Sequence, residues 1–308
     1  MTALYVFLAL VLLLAALPVL AEALRRPMSK RRQKSAPGDF AELSQGATHY
    51  RWVGPKTGES VLCIHGLSTP SYVFAATERS LANLGFRVLS YDLYGRGYSD
   101  RVKGDQTADF FLTQVNDLLN DQKVPGDIIV LGFSMGAQIA TALAAADSDR
   151  VKALILAAPA GVSPLTANSR SAIWQAPYIG GWLTRVAGGW ALRRELVEHR
   201  SIATVIPDLE DRQAQETRTR GFLPAVLSSR RHLLPTPLAA DLKRSQNSGI
   251  PILAIWGADD PIVPLSAMGE VARLAPDAEH AQILFAGHNL LQTHPAQIAD
   301  HLAAFLKS

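Results

Sequence analysis

The sequence predicts an α/β fold: a mostly parallel, twisted sheet with helices on both faces. Three observations point to it. Near-continuous apolar runs recur at residues 61–64, 86–91, 128–131, 151–156, 250–256 and 281–285, with helical stretches between them. Strands that lack polar alternation are buried on both faces, which is the mark of a parallel sheet. Nearly every run ends at a turn bearing glycine, histidine or aspartate, and in such sheets ligand sites gather beyond the carboxyl ends of the strands. Between about residues 162 and 238 the alternation fails over a stretch too long for a plain loop.

The chain has 308 residues, 48% hydrophobic and 19% charged, enough for a large core that needs no staples. Its single cysteine, Cys63, lies in an apolar run and reads as a small buried hydrophobe. No Cys/His cluster has zinc spacing, so no metal and no cofactor is expected. The formal net charge is +3, but Arg25, Arg26, Lys30, Arg31, Arg32 and Lys34 carry the excess, and Glu22 is the one acid before residue 35. The remainder is close to neutral, which argues against nucleic acid as a partner.

Residues 3–20 form an unbroken apolar run, ALYVFLALVLLLAALPVL. That approaches the ~20 residues needed to cross a bilayer as a helix. The basic cluster follows directly and none precedes it, so the positive-inside rule places the following domain in the cytoplasm. A cleaved signal, leading to a secreted or periplasmic protein, is the alternative, because Ala21-Glu22-Ala23 resembles a small-x-small cleavage site. The missing positive charge ahead of the run and its length favour the anchor. Residues 1–34 are therefore expected to be a membrane anchor with a basic juxtamembrane segment, and residues 35–308 the globular domain.

Residues 48–53 read as an antiparallel edge strand. The run at 128–131 leads into Gly132-Phe-Ser-Met-Gly136 and then a small-residue helix. Strand, G-x-S-x-G, helix is the setting of a nucleophile elbow, in which small neighbours tolerate strained backbone at the serine. The turn exposes the Ser134 hydroxyl and sets the Met135 N–H at a helix N-terminus, where anions are stabilised. The stretch from 162 to 238 holds Trp174, Tyr178, Trp182 and Trp190 and reads as a helical lid inserted after the sixth strand.

A serine nucleophile needs a base, and the base an orienting acid. His288 follows the last apolar run in Ala286-Gly-His-Asn289, and Asp260 lies in Gly257-Ala-Asp-Asp-Pro261. Asp259 competes for the acid role and His294, before Pro295, for the base. The order Ser134, Asp260, His288 is that of a known hydrolytic arrangement. A second oxyanion donor is expected from the turn after an earlier strand, and the Leu67 N–H in His65-Gly-Leu67 is placed to join that of Met135.

With these pieces in order, the chain resembles the α/β-hydrolase fold superfamily, in its serine-nucleophile, esterase- or lipase-like form. The resemblance rests on His65-Gly66, Asp92-Leu-Tyr-Gly-Arg-Gly-Tyr-Ser-Asp100, the elbow, Gly257-Ala-Asp-Asp260 with Ile262-Val-Pro264, and Gly287-His288. It selects Asp260 over Asp259. It marks residues 92–100 as a structural loop to which no chemistry is assigned, with Tyr94 where the family often has arginine. Ser134 argues against dehalogenase- and epoxide-hydrolase-like chemistry, which uses aspartate at the elbow. The resemblance implies a serine hydrolase acting on a carboxylic ester, and the anchor and apolar lid suggest a hydrophobic acyl compound, such as a lipid ester, as substrate. Carbon–carbon bond hydrolysis, acyl transfer and binding without catalysis on the same fold are the alternatives. Oligomeric state is not legible.

Overall fold

The computed structural model describes residues 1–162, 173–198 and 203–307. Eight strands form one sheet: β1 (Asp39–Glu42), β2 (Ala47–Val53), β3 (Ser60–Ile64), β4 (Arg87–Tyr91), β5 (Ile128–Phe133), β6 (Val151–Ala157), β7 (Ile252–Gly257) and β8 (Glu279–Ile283). Their order is β1-β2-β4-β3-β5-β6-β7-β8. Pairing is parallel from β4 to β8 and antiparallel where β2 meets β1 and β4. β2 is antiparallel as expected, but β1 lies outside it and forms the edge.

Successive residues of each strand serve opposite cores. In β5, Ile128 and Val130 join Phe111, Val115, Ile139 and Leu143 on one face. Ile129, Leu131 and Phe133 join Phe74, Leu81, Ile298 and Leu302 on the other. Both faces are therefore apolar, because helices cover both. The first core takes α4 (Ala108–Asp121) and α5 (Met135–Ala146), and the second takes α3 (Ala75–Asn83) and a helix near the carboxyl end, Pro295–Phe305. Cys63 is fully buried in the second core, and burial pushes its thiol pKa well above the ordinary value.

At the amino end, α1 (Thr2–Ala23) and α2 (Lys30–Lys34) precede the sheet. α1 has 22 residues, a length of about 33 Å, enough to cross a bilayer's hydrocarbon core. Its side chains are largely exposed, as an apolar helix without a protein partner on most sides must be. The segment after it docks on the body. Arg26 N–H donates to Arg218 C=O (3.0 Å), and Arg26 C=O accepts from Arg220 N–H (2.9 Å). Gln33 is buried and donates to Tyr98 C=O and Asp100 Oδ1.

The chain leaves β6 for a helical insertion and returns to the sheet at β7. Among the described residues it contains α6 (Ile179–Val186), α7 (Gly188–Glu198), α8 (Leu209–Thr217) and α9 (Phe222–His232), with α10 (Ala239–Asn247) leading back to β7. Residues 163–172 and 199–202 of the expected lid lie outside the described part. α11 (Ala267–Leu274), α12 (Leu290–Thr293) and α13 (Pro295–Phe305) complete the fold.

A buried carboxylate fixes the loop after β4. Asp92 accepts from Ser71 N–H (2.9 Å) and Oγ–H (2.6 Å), Tyr98 N–H (2.9 Å) and His49 Nδ1 (2.8 Å). Gly97 passes beside it at φ +50°, and a Cβ there would sit 2.0 Å from Asp92 Oδ2, so only glycine fits. Burial alone would raise the Asp92 pKa, but the bonds and charge of His49 outweigh it and hold the carboxyl well below the usual range. A depressed folded-state pKa contributes stability above the unfolded pKa and loses it as pH falls through the carboxylate range. Asp92→Asn is accordingly expected to lose about 3–5 kcal/mol at neutral pH. In urea titrations the gap to wild type should narrow as the pH drops below the ordinary carboxylate pKa. A constant gap would show that the charge contributes nothing.

Candidate active site

Ser134 sits between β5 and α5 at φ 55°, ψ −120°, a conformation that a residue with a Cβ adopts only when its surroundings impose it. The surroundings are backbone. Ser134 N–H donates to Ala157 C=O (2.9 Å), and its own C=O accepts from Ala137 and Ala160 N–H. A Cβ on Gly136 would lie 2.0 Å from Ile64 C=O, and one on Gly132 would lie 2.5 Å from Gly136 C=O. The glycines of G-x-S-x-G are thus required by the approach of β3 to the first turn of α5.

The structure brings the three expected side chains together. His288 Nε2 lies 2.9 Å from Ser134 Oγ, and His288 Nδ1 lies 2.8 Å from Asp260 Oδ2. Asp260 accepts from Ile262 N–H (2.8 Å) and Val263 N–H (2.9 Å) through Oδ1. Its oxygens are therefore oriented as acceptors, which places the His288 proton on Nδ1 and leaves Nε2 to accept from the serine hydroxyl. The Asp260 side chain is fully buried, whereas Asp259 is exposed on the same turn. His294 is bonded to Thr293 at the start of α13 and takes no part. Phe133 packs against the His288 ring, 5.4 Å between centroids.

The loop after β3 closes on the same point. β3 and β5 are adjacent and parallel, with Ile64 opposite Gly132, so their following turns emerge side by side. A Cβ on Gly66 would come within 3.1 Å of Ser134 Cβ. Among the described residues neither the Leu67 N–H nor the Met135 N–H donates to a protein acceptor. His65 Nε2 accepts from Leu93 N–H (2.9 Å), so its proton is on Nδ1, bonded to Gly66 C=O (2.8 Å). Burial lowers its pKa to about 4, so His65 stays neutral and holds the turn.

One residue that matters here was passed over in the sequence. Arg96 is completely buried, and its Nε donates to Leu67 C=O (3.0 Å), fixing the plane of the next peptide. The rest of its fork bonds Tyr94 C=O, Gln106 Oε1 and Ser229 Oγ of α9. The available signal was an arginine wedged between Gly95 and Gly97, where a surface cation has no need of two turn residues.

Leu67 and Leu192 both pack against Phe222, Leu223 and Val226 of the insertion. Leu223, Val226 and Leu192 also line a cavity of about 170 Å³ together with Trp174, Thr184 and Ala191. An apolar space of about 150 Å³ can hold a benzene-sized group. No group of three or more His, Cys, Asp or Glu side chains among the described residues is arranged to hold a metal.

A family profile described as alpha/beta hydrolase fold matches residues 59–295, well over half of the chain. The chain belongs to the α/β-hydrolase fold family. Within it, the chain is 26% identical to a pimeloyl-[acyl-carrier protein] methyl ester esterase of Nitrosomonas europaea over 79% of this chain and 94% of that one. It is 29% identical to a 2-hydroxymuconate semialdehyde hydrolase of Pseudomonas putida over 81% of this chain and 87% of that one. Among solved structures, a membrane phospholipase A superposes with a TM-score of 0.71 at 20% identity, covering 100% of this chain and 98% of that one. That structure thus aligns with this chain throughout.

Gly136→Ala is expected to cost at least about 1–3 kcal/mol, because the new methyl would meet backbone and not a movable side chain. Thermal unfolding checks this, and an unchanged Tm would mean that the β3 and β5 turns do not approach as described.

Proposed function

We propose that this protein is a membrane-anchored serine hydrolase that cleaves the carboxylic ester of a hydrophobic acyl compound, with lipid esters as the favoured class. The observation that carries the reading is the pair of bonds linking Ser134 Oγ, His288 and Asp260. In this reading His288 Nε2 takes the Ser134 proton as Oγ attacks the acyl carbonyl. The Leu67 and Met135 N–H groups receive the negative oxygen, at about 3–4 kcal/mol per donor in comparable sites. The imidazolium then protonates the leaving alkoxide, which departs as the alcohol. Water, deprotonated by His288, attacks the acyl-enzyme and releases the acid. Asp260 fixes the tautomer and stabilises the imidazolium.

The cavity lined by Leu192, Leu223 and Val226, of which Leu223 and Val226 also pack with Leu67, supports a hydrocarbon acyl group, and the likeness to an ester esterase and to a membrane phospholipase agrees with it. Carbon–carbon bond hydrolysis on the same relay is the second reading, favoured by the 29% identity to a 2-hydroxymuconate semialdehyde hydrolase. Turnover of a dienoate in place of esters would favour it. We read α1 as a retained anchor because Glu22 accepts from Gly221 N–H and Arg25, and Arg220 donates to Glu22 and Ala23 C=O. Cleavage after Ala23 would discard those bonds. The basic cluster after α1 supports a domain on the cytoplasmic side in this reading.

A fluorophosphonate should label wild type and leave Ser134→Ala unlabelled, with ester kcat/KM falling about 10⁵–10⁶-fold. Persistent labelling would sink the assignment. Ala191→Phe should fill the cavity and lower kcat/KM for long-chain relative to short-chain p-nitrophenyl esters by about tenfold, the equivalent of two buried methylenes. An unchanged chain-length profile would place the acyl group elsewhere.

A further inference from the structure

Proline at position 18 deprives α1 of one hydrogen bond. In an α-helix the N–H of residue i reaches the C=O of residue i−4, and proline has no N–H. The carbonyl left over is that of Leu14. Trp182, on α6 of the insertion, donates its indole N–H to Leu14 C=O at 2.8 Å. A side chain 168 positions away thus fills the gap that Pro18 opens. In water such a carbonyl needs no protein partner, whereas in hydrocarbon an unpaired one costs several kcal/mol.

The same bond sets the depth of the insertion. Beyond Leu14, towards the amino terminus, α1 offers only Thr2–Leu13, about 18 Å of helix against a hydrocarbon thickness of about 30 Å. α1 cannot span with those residues alone, so the level of Leu14 lies within the bilayer and α6 lies beside it. At its other end α6 meets the basic segment, where Arg25 donates to Arg185 C=O. The helix therefore descends from the headgroup level, marked by Arg25, Arg26, Lys30 and Arg31, towards Tyr178 and Ile179. Tyr178 is 93% exposed, Ile179 61% and Trp190, on α7, 61%. Aromatic and aliphatic side chains bared on a helix that accompanies an apolar anchor fit an interfacial lipid environment.

We propose that the α6–α7 edge of the insertion is a bilayer-docking surface that enters the membrane together with α1, over anionic headgroups that meet the basic segment. This rests on the reading of α1 as an anchor. It adds that substrate reaches the site sideways from the lipid, because α6 and α7 also contribute Thr184, Ala191 and Leu192 to the cavity lined by Leu223 and Val226. The surface and the cavity are two sides of the same helices.

The full-length chain in phosphatidylethanolamine/phosphatidylglycerol vesicles tests this directly. Cys63 is buried, so a single introduced cysteine can be labelled with an environment-sensitive fluorophore. Labels at Leu8→Cys, Ile179→Cys and Asp149→Cys, the last exposed at the far end of β6, are quenched by nitroxide lipids. Quenching at 8 and 179 but not at 149 is the expected result. Quenching at 8 alone overturns the docking surface and leaves the anchor standing. Absence of quenching at 8 removes the anchor and the proposal with it. A label at 179 that is shielded yet unquenched, with the chain dimeric by cross-linking, would mean that a second copy covers this face, which also overturns it.

Activity provides a second reading. Tyr178→Ser with Ile179→Ser should lower hydrolysis of vesicle lipid by about tenfold or more while leaving a soluble short-chain ester unaffected. Equal loss on both substrates counts against a docking role. Finally, Trp182→Phe should lower the Tm of the reconstituted protein in the wild-type background and have little effect alongside Pro18→Ala, which restores the N–H. Equal losses in the two backgrounds would show that the indole does not serve the proline gap.

Discussion

The candidate site of this molecule depends on a steric constraint, the forced left-handed backbone at Ser134. The strain is held by peptide groups of β3, β5 and β6, the most deeply enclosed part of the sheet. Ser134 N–H is tied to Ala157 of β6, and the first turn of α5 presses on Ile64 of β3. Because these strands are adjacent and parallel, their turns rise at one point. The geometry of the proposed oxyanion turn is thus a consequence of strand order. The proposed base and acid, His288 and Asp260, arrive from farther away, on the turns after β8 and β7, and reach Ser134 across the end of β6. Asp260 is held for that task by two backbone N–H groups of its own turn, which fix its carboxylate before it meets His288.

What was legible in the sequence was what local chemistry determines. Doubly buried strands are apolar throughout, so β3 to β7 announced themselves, whereas β8, an edge strand with Glu279 and Gln282 exposed, starts two residues before the apolar run at 281–285 and ends at Ile283. Turns that must be tight carry glycine, so the elbow and the exit at Gly287 stood out, and the side chains 134, 260 and 288 could be named and are found within hydrogen-bonding reach. β1 was not legible because it has four residues and buries only Ala41, too little to leave a pattern. Residues 25–34 read as a basic juxtamembrane segment because they are charged, yet Arg26 docks through backbone groups and Gln33 through its side chain, and backbone pairing has no side-chain signature. Pro18 lies near the end of the apolar run, where a proline harms a helix least. Its partner, Trp182, lies in another element, and nothing in a single sequence connects the two.

Arg96 shows a different kind of concealment. A guanidinium at zero exposure is expensive to bury unless every N–H finds an acceptor, and here the fork is met by three carbonyl-type oxygens and a hydroxyl. Burial and the neighbouring Arg101 lower its pKa to about 9, still well above neutrality, so the group remains charged. One cation therefore joins the peptide that follows the Leu67 N–H, the loop after β4 and helix α9. Motif reading treated residues 92–100 as a loop that permits turns, whereas the structure makes it the joint between sheet and insertion.

That joint divides the insertion into two unequal parts. α8 and α9 are fastened to the body by buried polar bonds: Gln213 to Thr69, Gly97 N–H to Glu216, Arg96 to Ser229 and Gln106 N–H to Ser228. α6 and α7 lack that fastening among the described residues and are held instead by α1 and by the fixed pair, through Arg25, Trp182 and the Arg193 bond to Thr217. Regions with few buried polar ties to a core open at lower free energy than those with many. α6 and α7 are therefore the more loosely tied side of the insertion, and α6 is bonded to α1. On the proposal that α1 is a membrane anchor, the lipid surroundings of that helix bear directly on how firmly this side is held.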